Sequence, residues 1–215
     1  MSQHTLTLLR FTYKKLKAKL TVSDGKKLFH EQFPYVIPGL YKRIVDEMLV
    51  ELNLLNHQNE FKQDYLFCVG LTETFKELTK GYKPEKHLDL LFESLCGSTN
   101  FVAKEIKEIS EKSQKEFKDK SSKDILKLLK EKSNSKLYPS RLLNLGIFIL
   151  ISNSKDIKEK NESEINKLIY DLFEDLNLSA SKAEKDIGIY KSSISKMEQA
   201  KELIEELRIK DKKKD

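Results

Sequence analysis

The feature that most constrains this chain is one unbroken apolar stripe. Tyr41, Ile44, Val45, Met48, Leu49, Leu52 and Leu55 follow one another at steps that match three and four residues. Only a repeat of about 3.6 residues places all seven on one face, so the spacing predicts an amphipathic helix over 39–58. The same rhythm returns at Leu88, Leu91, Phe92 and Leu95, and again at Ile165, Leu168, Ile169, Leu172, Phe173 and Leu176. No segment alternates apolar and polar residues for long enough to compete as a strand. Seven glycines and four prolines in 215 residues leave room for long helices and short turns. The expected class is all-α: a multi-helix bundle followed by an extended, coiled-coil-like C-terminal helix.

Punctuation between the stripes gives the helix ends. Thr21-x-x-Asp24 has capping-box spacing, and the helix it opens should run to about Phe33, where Pro34 and Pro38 break it. Asp64 can cap the next helix, with Gly81 as its left-handed stop. The first half of that helix (Tyr65, Leu66, Phe67, Val69, Leu71) is apolar nearly all round, which makes it central, and Gly70 inside it would permit close helix packing. Pro84 suits a first turn and Gly97 an end. Val102, Ile106 and Ile109 make a thin stripe, and Ser121-x-x-Asp124 caps a short helix. Pro139 opens the apolar helix containing 142–151, and Asn161-x-x-Glu164 caps the one after it.

The last segment, 179–210, differs in kind. Ala180, Ala183, Ile187, Tyr190, Ile194, Met197 and Ile204 step by 3, 4, 3, 4, 3 and then 7, with Lys201 where a core residue is due. So narrow a seam suits a two-helix contact. Two uses are open: folding back on the domain, or docking a partner helix. On the second, Ile187, Tyr190, Ile194, Met197 and Ile204 are the candidate partner contacts. The expected organisation is a basic extension over 1–20, a helical core over 21–177, and a C-terminal helix with a basic tail over 178–215.

Charge narrows the function classes. Five of the six net positive charges sit in residues 1–20, as Arg10, Lys14, Lys15, Lys17 and Lys19, with no acidic residue among them. The folded part is therefore close to neutral, which argues against a nucleic-acid-binding face. The same segment, carrying Leu6, Leu8, Leu9, Phe11, Leu16 and Leu20, supplies an alternative function: a peripheral membrane-surface protein that binds anionic lipid. The longest apolar run, Leu142 to Ile151, is about half of what crossing a bilayer requires.

Signs of catalysis are missing. The chain has no phosphate-cradling glycine loop, no H-E-x-x-H and no nucleophile elbow. None of its histidines follows a glutamate by three residues, so the di-iron bundle signature is absent. His57 and His87 read as surface or helix-end residues, and Cys68 and Cys96 as small core hydrophobes. Asp46, Glu47 and Glu51 cluster on one helix, but Lys42 and Arg43 beside them make a charged outer face. No catalytic residue, metal, cofactor or small-molecule substrate is expected.

Longer segments carry a resemblance. TVSDGKKLFHEQF, YKRIVDEMLVELNLL and GLTETFKELTKGYKPEKHLDLLFESLC, followed by YPSRLLNLGIFILI, resemble the thylakoid formation protein family over roughly 21–175. Thr21 to Asp24, Tyr41, Arg43, Glu47, Leu49 to Leu52, Gly70, Gly81, Tyr82, Pro84 and Arg141 coincide with the family pattern. The turn PYVIPG, the segment 1–20 and the C-terminal helix depart from it. The resemblance implies an all-helical protein of cyanobacteria and chloroplasts without enzymatic activity. It implies a role in thylakoid biogenesis and photosystem II assembly and repair, with an FtsH-type membrane protease, photosystem II proteins, or both as partners. It also implies a peripheral or soluble place on the cytoplasmic side of the thylakoid membrane.

Overall fold

The computed structural model describes residues 20–132 and 137–212, so the basic extension and the lipid-binding reading placed on it lie outside the described residues but for Leu20. Among those described there are nine α-helices and no strand. They are α1 (Val22–Gln32), α2 (Gly39–His57), α3 (Tyr65–Leu78), α4 (Leu88–Gly97), α5 (Ala103–Phe117), α6 (Ser122–Lys132), α7 (Arg141–Ser152), α8 (Glu162–Asp175) and α9 (Ala180–Lys212). The chain is all-α. It divides into two compact units that do not follow chain order: Met1–Phe61 with Tyr82–Lys104, and Lys62–Gly81 with Glu105–Asp215.

The first unit holds α1, α2 and α4. Thr21 opens α1 with the capping box read from its spacing: its hydroxyl accepts from the Asp24 backbone N–H at 3.1 Å, and Asp24 Oδ2 accepts from the Thr21 N–H at 3.1 Å. The α2 stripe is buried at Tyr41, Val45, Met48, Leu49, Leu52 and Leu55, with Ile44 at its half-buried edge. Asn53 lies among them, 2% exposed, and its Nδ2 donates to the carbonyls of Leu20 and Thr21. This bond ties α2 to the chain entering α1. Asp46 reaches Lys26 of α1 at 3.4 Å rather than Lys42 one turn before it, while Arg43 and Glu47 pair at 2.8 Å. A cross-helix partner is within reach of Asp46, and exposed pairs differ too little in energy to hold it back.

In the second unit the central contact is α3 against α7. A Cβ on Gly70 would stand 1.8 Å from the Leu142 carbonyl oxygen, and one on Gly146 would stand 2.0 Å from that of Leu66. Two glycines on facing helices thus let the backbones touch, and α3 is buried continuously from Leu66 to Thr72. Around them Leu66, Val69, Leu143, Leu145, Leu150, Leu172 and Phe173 form one core.

Several helix ends differ from the spacing. α3 stops at Leu78, short of Gly81; Gly81 (φ 79°) serves the turn that follows. Pro84 precedes a short 3-10 turn, Glu85–His87, rather than sitting in the first turn of α4. Ser140, not Pro139, caps α7, its hydroxyl accepting from the Leu143 N–H at 3.1 Å. On α5 the buried face runs Ala103, Ile106, Ser110, Ser113 and Phe117, while Val102 lies outside the helix and is 51% exposed. Serines carry that face, which is why a search for large apolar residues finds only a thin stripe.

Candidate protein-interaction site

Helix α9 is 33 residues long, about 50 Å. Its first turns follow from Leu178 and Ala180, both buried, and from Ala183, which is fully buried. Alanines leave a thin face, so the backbone can approach α7 and α8 closely. Ile187 follows at 7% exposure and belongs to the same core as Ile169, Leu172 and Phe173. One polar contact fixes the register: Asn144 Nδ2, from a buried residue of α7, donates to Asp186 Oδ2 at 2.8 Å.

The five candidate contacts therefore fall into different surroundings. Ile187 is core. Tyr190 is half-buried, with its ring edge-on to Phe148 of α7 at 6.3 Å. Burial pushes its hydroxyl up to about 12, and the carboxylates of Glu77 and Glu73 add to the shift. Ile194 is half-buried and Met197 is 7% exposed. Ile204 is 41% exposed and its neighbour Leu203 is 58% exposed. The seam is thus brought together with its own unit at the near end and presented to solvent at the far end.

Beside the near end lies a cleft of about 560 Å3 between α8 and α9. Ile169, Ala180 and Ile187 form its floor, and Glu162, Lys167, Tyr170, Glu184 and Lys191 stand along its walls. Tyr170 is 52% exposed. Glu162 and Lys191 approach within 3.8 Å across it. Gly188 also lines it, and sequence reasoning missed the cleft because the apolar seam of one helix does not say which helix stands beside it.

The first unit carries a smaller cleft of about 320 Å3 under the loop Pro34 to Ile37. Val36 is 90% exposed there, and the Tyr35 ring stacks on His87 at 3.8 Å. Three consecutive non-polar or aromatic residues between two prolines were the available signal, and the reading as a helix break passed over it.

The groups weighed as chemistry sit apart. His87 is held by the Tyr35 stack, and His57 ends α2 with Nδ1 donating to the Asn53 carbonyl at 2.8 Å. Cys68 and Cys96 are both buried and unbridged. Burial pushes the Cys68 thiol up to about 12, with the Asp64 carboxylate contributing, so it stays protonated. Among the described residues no three His, Cys, Asp or Glu side chains converge as a metal site would require, and no helix is long and apolar enough to cross a membrane.

Comparison with known proteins agrees across this geometry. The family model described as thylakoid formation protein matches residues 21–138 and 128–215. The chain is 86% identical over 199 residues to protein Thf1 of Prochlorococcus marinus (strain MIT 9312), covering 93% of this chain and 99% of that one. It is 38% identical over 195 residues to protein Thf1 of Parasynechococcus marenigrum (strain WH8102), covering 90% and 91%. A solved structure of Psb29 superposes with a TM-score of 0.78 at 26% identity, over 91% of this chain and 98% of that one.

Proposed function

The chain belongs to the thylakoid formation protein family, and from that membership we propose that it is a non-enzymatic factor in thylakoid biogenesis and photosystem II assembly and repair. It acts by binding and stabilising an FtsH-type membrane protease complex, from a peripheral position on the cytoplasmic side of the thylakoid membrane. The observation that carries this reading is the extent of the family match, which runs through helices of both units and through α9. The names of the relatives, Thf1 and Psb29, support the coarser role in thylakoid formation and photosystem II biogenesis.

The far end of α9 is the part of the C-terminal seam suited to a partner. Leu203 and Ile204 keep large apolar surfaces in water. Burying one such side chain in a partner groove is worth roughly 1.5–3 kcal/mol. Ile187 is already spent in the core, and Tyr190 and Ile194 offer only their exposed edges.

The test is affinity recovery of FtsH-type protease subunits from detergent-solubilised photosynthetic membranes on the tagged full chain. Deleting 179–215 is a poor control, because it strips Ala180, Ala183 and Ile187 from the second unit's core. The paired change Leu203→Asp and Ile204→Asp is the better one. Recovery on the unmodified chain and loss on the variant is the expected result. Recovery on both transfers the contact to another face, and recovery on neither refutes the protease reading.

A further inference from the structure

Residues 21–215 are close to neutral in sum, but their charge is divided. Residues 112–160 hold thirteen basic and six acidic side chains, a net +7, whereas 21–111 and 161–215 carry −4 and −2. All of 112–160 belongs to the second unit. So large a surplus within one unit gives its surface a directed field, not a scatter of self-cancelling charges.

The fold gathers much of the surplus at one corner. The turn between α5 and α6 is stitched to the loop after α7. The Lys155 N–H donates to the Lys120 carbonyl at 2.9 Å, and the Ser122 N–H and hydroxyl donate to the two carboxylate oxygens of Asp156 at 2.6 and 2.7 Å. Beside the stitch, Lys115 and Lys118 line a small cleft of about 220 Å3 with Asn153 of the same loop. Lys115, Lys118, Lys123, Lys155 and Lys158 are thereby brought together, all exposed and none in an ion pair among the described residues. The acids nearby are turned to other uses. Asp156 is taken by Ser122 and by the Lys160 ammonium at 3.0 Å. Asp124 accepts from the Ser121 hydroxyl at 2.7 Å and has Lys120 within electrostatic reach, and Glu116 pairs with Lys132. Asp119 and Glu159 are left as exposed carboxylates against the five lysines.

We propose that this corner is the face the protein sets against a membrane, where it binds the anionic headgroups of a lipid bilayer. A lysine ammonium is a compact, strongly hydrated charge on a flexible stem. Packed protein interfaces are depleted in it and favour the planar fork of arginine, whereas a charged bilayer attracts each ammonium by proximity alone. No exposed aromatic ring stands among these lysines, since Phe117 is buried and Tyr138 half-buried, so the base-stacking platform of a nucleic-acid groove is missing. The inference deepens the peripheral position proposed above and rests on that reading, but not on its protease partner.

Cosedimentation of the purified full chain with vesicles of phosphatidylcholine, alone or mixed with phosphatidylglycerol, tests this without any protease present. The unmodified chain is expected to bind the mixed vesicles, to ignore the neutral ones, and to be released as added salt shortens the range of the attraction. The combined changes Lys118→Gln, Lys123→Gln, Lys155→Gln and Lys158→Gln should weaken that binding at least about tenfold, with the melting midpoint unmoved because none of the four is in an ion pair. A matched set, Lys167→Gln, Lys182→Gln, Lys185→Gln and Lys196→Gln, removes the same charge from equally exposed and unpaired positions of the second unit. It should leave binding within about twofold, since attraction falls away within a Debye length of the bilayer. Equal weakening by both sets would mean that net charge alone acts, and would overturn the proposal. Undiminished binding by the first set also overturns it and leaves the peripheral position to another face, the segment 1–20 included. Capture of duplex DNA where mixed vesicles are not bound overturns it in favour of nucleic acid.

Discussion

Replacing Gly70 by alanine probes the closest helix contact in the second unit. If only intrinsic propensity mattered, the change would stabilise α3 by roughly 1 kcal/mol. The geometry demands the opposite sign. The new methyl would lie 1.8 Å from the Leu142 carbonyl oxygen, and ordinary contact begins near 3.4 Å. The obstacle is backbone, so no rotamer change relieves it, and α3 and α7 must part by about 1.6 Å locally. A radial gap of roughly 0.5–1 Å already forfeits a quarter to a half of each dispersion contact. Leu66, Val69, Leu143 and Leu150 all belong to the core around this contact.

Overpacking of a tight core costs roughly 1–3 kcal/mol. Because backbone cannot yield as a side chain can, the expected loss lies at the upper end, about 3 kcal/mol. For a chain of this size that lowers the melting midpoint by roughly 6–12 °C. The assay is thermal and urea unfolding followed by circular dichroism, with Gly188→Ala as the matched control at an open helical position. The control should gain up to about 1 kcal/mol. A Gly70→Ala chain melting at or above the unmodified one would refute the reasoning, because it would mean that the two helices are not in backbone contact.

Other outcomes follow from local chemistry. Thr21→Ala removes the hydroxyl that caps α1. It should cost about 1 kcal/mol in the transition of the first unit, and threonine-to-serine exchange at the same position should recover most of it. Asp156 is pushed up by burial, but the Ser122 hydroxyl and N–H and the Lys160 ammonium outweigh this and hold its carboxyl well below the ordinary range. A carboxyl depressed in the folded state stabilises above the unfolded value near pH ~4 and loses that contribution as pH falls through the folded one. The stability gap between the unmodified chain and Asp156→Asn should therefore be full at neutral pH and narrow steadily below about pH 4. Acid titration of urea midpoints reads this, and a gap that does not change with pH would sink it.

Much of the local structure was legible in order along the chain. The capping boxes at Thr21/Asp24 and Asn161/Glu164 form as their spacing demands, and Asp64 caps α3. The α2 stripe is buried almost residue for residue. These features depend on contacts three and four residues apart, so nearby sequence suffices to specify them. Gly70 was readable as a close-packing position because a glycine within an apolar helix has few other uses. The start of α7 slipped by a residue because the Ser140 hydroxyl caps its first turn, and α3 ends three residues before the left-handed Gly81.

What the sequence by itself determined is which residues are helical and which face of each helix must leave water. What only the tertiary structure decided is what covers each face. The C-terminal seam is a single pattern from Ala180 to Ile204, yet its near end is buried on α7 and α8 while Ile204 is left exposed. The Gly188 surface became a cleft only because α8 stands beside it. Periodicity is written in residues a turn apart. Burial is settled by segments more than twenty residues distant, such as Asn144 meeting Asp186, and those meetings depend on how all the helices pack at once.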